Sequence, residues 1–148
     1  MVRELTPQLI SEWKENFMCI VSSPRRSGKT WLVDYIFSCF KPRRFSAVFC
    51  ISPTSTLQGA FEFIPKERHI MPTKETFASD IDNIINFQKN RKENGFEMGE
   101  ICIILDDVFS SSKRGYGVGV VSGKLEELAP RGRHYKITCI LLSRRIFL

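Results

Sequence analysis

Eight consecutive residues, Ser23-Pro24-Arg25-Arg26-Ser27-Gly28-Lys29-Thr30, stand between an apolar run and a helical pattern. They match the phosphate-loop pattern Gly-x4-Gly-Lys-Ser/Thr in every element except the first glycine, which is Ser23. Such a loop turns backbone N–H groups toward phosphate oxygens at a helix N-terminus. Gly28 lets the backbone come close, Lys29 reaches the β- and γ-phosphates, and the Thr30 hydroxyl holds magnesium. If the first position needs a left-handed backbone, Ser23 costs about 1 kcal/mol there. Pro24 stiffens the loop by fixing its own φ. Arg25 and Arg26 either touch phosphate or face solvent. Read structurally, Gly-Lys-Thr alone merely starts a helix.

A second chemical feature is Asp106-Asp107, at the end of the apolar run Ile101-Cys102-Ile103-Ile104-Leu105. Adjacent carboxylates at a strand end repel unless a cation lies beside them. Magnesium supplies that cation, with Asp106 as its ligand opposite Thr30 and Asp107 polarising an attacking water. The structural alternative is an Asp-Asp turn after a strand. Together the two features predict ATP and Mg2+ as the bound groups.

The elements that position these residues follow from hydrophobic period. Apolar runs predict strands over 17–22, 45–51, 101–105 and 137–142, each buried on both faces as in a parallel sheet. Helices are predicted over 5–15, 30–40, 74–92 and, briefly, 123–128. Thr73 is the predicted N-cap of the third and Gly95 its stop. Strands alternating with helices give an α/β fold, a parallel sheet flanked by helices. Ligands of such sheets sit beyond the strands' carboxyl ends, here after Ser22, Ile51, Leu105 and Leu142. The Ser- and Gly-rich stretch 110–119, with Lys113 and Arg114, reads as a loop and as a candidate DNA contact.

The 148 residues suit a single domain over 1–148. No apolar run reaches the roughly eighteen residues of a membrane span, and the start lacks a signal-peptide core. The five cysteines contain no Cys-x-x-Cys pair, which predicts free thiols in a reducing, intracellular compartment and no membrane partner. A net charge of +6 suits a polyanionic partner, or simply a basic solvated surface.

From about residue 17 to 143 the chain resembles the genome-packaging ATPases of large DNA viruses, poxvirus-type members of the FtsK/HerA superfamily. The resemblance rests on Ser23 to Thr30, on Ile103 to Asp107, and on Gly132-Arg133-His134 followed by Ile137 to Ser143. It implies a P-loop NTPase core of the ASCE type with strand order 5-1-4-3-2, in rings that move double-stranded DNA into a capsid, in a host's cytoplasm or a virion. It implies that Lys29 and Thr30 serve phosphates and metal, Asp106 the metal and Asp107 the water. It implies for Arg133 a role at a neighbouring subunit's nucleotide or in sensing hydrolysis; the structural alternative is a turn. Two departures stand out. Ser143, followed by Arg144-Arg145, replaces the family's sensor glutamine. The fifth strand, which would lie beside the first, is missing, so the domain reads as incomplete at its C-terminus. Two other functions fit the residues: a nucleotide-binding homologue without turnover, and a P-loop kinase of a small substrate, which needs no second acid.

Overall fold

A computed structural model describes residues 4–24, 28–53, 60–109 and 116–143. The elements in chain order are α1 (Pro7–Ser11), β1 (Met18–Ser22), α2 (Lys29–Cys39), β2 (Ala47–Ile51), β3 (His69–Ile70), α3 (Phe77–Glu93), β4 (Ile101–Asp106), α4 (Val118–Tyr135) and β5 (Ile137–Ser143). The strands form one sheet, ordered β1-β5-β4-β2-β3. Every pairing is parallel. The fold is therefore α/β with an all-parallel sheet flanked by helices, as the apolar runs predict.

The central strands β4 and β5 are buried along almost their whole length. One sheet face packs on α3 and α4 through Phe77, Ile81, Ile103, Leu105, Val121 and Leu128. The other packs on α2 and the segment after β2, through Val33, Cys102, Ile104, Ile140 and Phe61. No helix among the described residues is long and apolar enough to cross a membrane.

Strand order departs from expectation at one edge. The predicted neighbours of strands 1, 4, 3 and 2 are all present. No strand beside β1 is present among the described residues in the fifth strand's expected place, and the sheet instead gains an unexpected two-residue strand, His69–Ile70, which joins β2 at the far side. Nothing in the irregular stretch between Pro65 and Pro72 marks it as a strand, because two residues carry no period. Among the described residues, β1 has β5 as its only strand neighbour.

Helix ends follow side-chain chemistry. The α3 helix starts later than expected: its N-cap is Thr76 rather than Thr73. Residues 74–76 form a turn in which the Thr73 Oγ1 accepts the Thr76 N–H at 3.2 Å and the Thr73 carbonyl accepts the Phe77 N–H at 3.1 Å. It closes at Gly95 (φ 74), where Phe96 N–H reaches Arg91 O at 2.8 Å and Gly95 N–H reaches Lys92 O at 3.2 Å. That crossed pair needs a left-handed residue, which glycine supplies. The first helix stops far short of residue 15. Arg44 donates to the carbonyls of Trp13 at 2.9 Å and Lys14 at 3.1 Å, while its guanidinium lies 4.4 Å over the Phe40 ring. This long-range clasp ties the segment after α1 to the start of β2.

The largest correction is α4. The period predicts only a short helix over 123–128 and places 118–119 in a loop. The helix runs from Val118 to Tyr135, across Gly119, Gly123, Pro130 and Gly132. These residues have poor helix propensity. Burial of Val121 and Leu128 against the sheet outweighs it. Gly132-Arg133-His134 is accordingly the last turn of a helix rather than a free turn.

Candidate nucleotide site

The site is built where parallel strands end together. After Ser22, the Ser23 N–H bonds to Ser143 O at 3.1 Å and extends the β1–β5 pairing by one residue. Ser23 is not among the residues with positive φ, so the strain anticipated for replacing the first glycine does not arise. Pro24 follows; Arg25, Arg26 and Ser27 lie outside the described residues. Gly28 is the N-cap of α2 with φ 87 and ψ 23. A Cβ added there would meet nothing within 4 Å, so glycine is required by backbone conformation and not by space.

From that cap the first turn of α2 begins, with no acidic residue in it. The positive end of the helix is therefore uncompensated by its own side chains, as an anion site requires. The Lys29 Nζ donates to Ser23 O at 2.6 Å and to Pro24 O at 3.4 Å. Its ammonium thus reaches back across the loop to the end of β1. Thr30 stands on the exposed side of the same turn.

Asp106 is the last residue of β4 and pairs with Leu142. Asp107 has φ 58. This left-handed residue swings the chain sharply off the sheet, and Val108 then dives into the core with no exposed surface. Aspartate tolerates the conformation better than a bulky residue does. Both carboxylates are half-buried. Strand β5 lies between β1 and β4, so the two ends are two strand spacings apart, about 10 Å. The structure therefore brings the start of the loop, Lys29 and Asp106–Asp107 to one end of the sheet.

Two buried polar residues complete that end: Ser143 at 4% exposure and Ser52 at 0%. Ser143 stands where the resemblance expects glutamine; its hydroxyl is short and its carbonyl is occupied by Ser23. Arg144 and Arg145 lie outside the described residues, as do 110–115 with Lys113 and Arg114. Ser52 was not anticipated, since Ser52-Pro53 reads as a strand terminator.

Arg133 is not brought to this end. It precedes β5 and lines a small cleft with Phe17 and Met18, at the amino ends of the strands. A strand length, roughly 15–20 Å, separates it from the loop. Within one chain, Arg133 therefore stands away from Lys29 and Asp106–Asp107. Gly132 beside it is explained by packing: a Cβ there would lie 2.8 Å from Ile137 O. His134 meets Lys92, whose Nζ is 3.0 Å from Nε2.

The donors suit magnesium of a particular kind. Among the described residues no three His, Cys, Asp or Glu side chains cluster to hold a metal. A hydroxyl and one or two carboxylates fit an ion that keeps waters and takes phosphate oxygens, which is the habit of Mg2+ with a nucleotide. The left-handed Gly28 and the acid-free helix start fit the phosphates themselves.

No family model and no curated protein sequence matches the chain. Among solved structures it is similar to the pCW3 conjugation coupling protein TcpA, determined in monomer form with ATPgS, at a TM-score of 0.52 and 10% sequence identity. The match covers 88% of this chain and 43% of that one. At such identity the likeness is one of fold, and this chain spans less than half of the coupling protein.

Proposed function

We propose that this chain is the ATP-hydrolysing domain of a motor that moves double-stranded DNA, of the viral genome-packaging kind, working as a ring. The observation that carries the reading is the meeting of Gly28–Lys29 and Asp106–Asp107 at one end of a parallel sheet. The fold likeness to a conjugation coupling protein held with ATPgS supports it, and so does a net charge of +6.

In this reading the loop's N–H groups and the start of α2 bind the phosphates. Lys29 leaves the Ser23 carbonyl to neutralise the β- and γ-oxygens. Thr30 and Asp106 hold Mg2+, which when bound spreads the charge that develops on the phosphates. Asp107, beside Asp106 on the turned backbone, orients a water and accepts its proton. Arg133 acts, if anywhere in the reaction, on a neighbouring subunit's nucleotide.

The test compares steady-state ATP hydrolysis of wild type and Lys29→Ala, with and without double-stranded DNA. Turnover that DNA stimulates and that Lys29→Ala abolishes is expected. Equal background rates in both proteins reject the reading. One observation favours a second reading, a subunit that binds nucleotide without hydrolysing it: Ser143 is short and buried where a water-sensing amide would stand. Tight ATP binding by wild type with no hydrolysis selects that alternative.

A further inference from the structure

A cleft of about 600 Å3 opens beside Thr30, on the flank of α2 that faces the segment after β2. Thr30 and Asp34, one helical turn apart, form one wall. Phe61, Glu62 and Phe63 form the other, with Phe37 at the floor. Phe61 has φ 57 and its ring is buried to 1% exposure. A left-handed aromatic residue is strained, and the buried ring holds the turn that carries Glu62 and Phe63. The Phe37 and Phe63 rings are 4.9 Å apart, and Phe63 keeps 47% of its surface exposed.

The described lining of the cleft is acidic. Among the described residues it includes Asp34 and Glu62 but no basic side chain, in a chain whose net charge is +6. Burial and then the neighbouring Glu62 hold the Asp34 carboxyl above its usual range. Two carboxylates that oppose each other across an aromatic-walled space call for a cation. Ring faces attract organic cations and give nothing to a hydrated divalent ion. The described residues also place no third carboxylate, His or Cys to complete a metal site. The volume suits a small organic group.

We propose that this cleft binds an organic cation, an ammonium or guanidinium on a short apolar arm, seated between Asp34 and Glu62 and against the Phe37–Phe63 rings. Two sources carry that chemistry: a free diamine-like molecule, or a Lys or Arg side chain of a second copy of this chain. Because Thr30 belongs to both sites, the bound cation stands next to the nucleotide phosphates. That adjacency rests on the proposed function; the cation site itself does not.

The probe is agmatine, titrated calorimetrically into the whole chain, with neutral butylurea as control and circular dichroism to confirm that each variant is folded. Saturable agmatine binding is expected, with butylurea much weaker. Asp34→Asn and Glu62→Gln should each weaken it roughly three- to five-fold, the scale of a partly exposed ion pair. Phe63→Ala should weaken it two- to five-fold, roughly the scale of an exposed cation–π contact. Lys29→Ala should keep agmatine binding while losing nucleotide, which separates failure of this site from failure of the ATP reading. Butylurea binding as tightly as agmatine, or the three cleft variants leaving agmatine affinity unchanged, overturns the proposal. Sedimentation then names the source. Self-association that both agmatine and Asp34→Asn weaken assigns the cation to a second copy; an unaffected monomer that binds agmatine assigns it to a free amine.

Discussion

Gly28 and Gly132 are both glycines for local reasons, and the reasons differ. Gly28 has a left-handed backbone with open space around the missing side chain. Gly28→Ala should therefore cost about 1 kcal/mol, the left-handed penalty alone, read as a shift in urea midpoint with unchanged slope. Gly132 has an ordinary helical backbone but no room, since a Cβ would press on the Ile137 carbonyl at 2.8 Å. Gly132→Ala should cost more, about 1–3 kcal/mol as for overpacking, because a backbone atom of a central strand cannot easily give way. The reverse order in urea denaturation would contradict this assignment. On the proposed function, Asp107→Asn preserves shape and removes the proton acceptor. It should leave ATP affinity nearly unchanged and lower turnover at least about a hundred-fold, measured by nucleotide binding and hydrolysis side by side.

Between elements, two polar links hold α3, α4 and the strand starts together. Gln88 is 1% exposed, and its Nε2 donates to Gly99 O at 2.8 Å and Tyr135 O at 2.9 Å. Gln88→Leu would bury two carbonyls without a donor, a loss of about 2–3 kcal/mol, seen in chemical denaturation. The second link is ionic. Lys124 on α4 contacts Asp82 on α3 at 2.6 Å and Glu127 at 3.0 Å, and Arg131 reaches Glu127 at 2.7 Å. Burial acts to lower the Lys124 pKa, but the bonds to Asp82 and Glu127 outweigh it and the net shift is upward. A raised lysine stabilises the fold fully below its unfolded value, near 10.5, and that contribution is lost as pH rises through the higher folded value. Lys124→Met should therefore lower stability at pH 8 by about 0.5–1 kcal/mol, and the difference from wild type should shrink above pH 11.

For the molecule as a whole, the sheet buries most of its thiols. Cys50, Cys102 and Cys139 are buried, while Cys19 and Cys39 are half-exposed. Burial, with Cys19 nearby, pushes Cys139 up to about 12, and burial raises Cys102 well above the ordinary thiol range. At pH 8 iodoacetamide should modify native protein at Cys39 and slowly at Cys19, and all five cysteines in urea; mass spectrometry reads the difference. Rapid native labelling of Cys102 or Cys139 would mean that the sheet opens. A parallel sheet also puts every strand's carboxyl end on one side. The proposed nucleotide site and the cleft beside Thr30 therefore share one end, and Arg133 with His134 occupies the other.

The sequence by itself determined the strands, since continuous apolar runs such as Ile101 to Leu105 have no place but a sheet covered on both faces. It also picked out Gly28–Lys29 and the acid pair, which the structure brings to one end of the sheet, because the residue types that phosphate and magnesium chemistry would ask for stand at a few consecutive positions. Gly95 is legible for the same reason, since capping is local, whereas the start of α3 falls at Thr76 and not at Thr73. Tertiary structure decided what depends on distant partners. The α4 helix continues through Gly and Pro because the sheet rewards its buried face, and the segment after α1 is tied down by Arg44, which lies some thirty positions away. His69–Ile70 is a strand only because β2 offers it an edge. Arg133, four residues from a strand start, was placed far from the loop by the direction of that strand. Asp34 and Glu62 are separated by 28 positions, and only the turn at Phe61 brings them to one cleft.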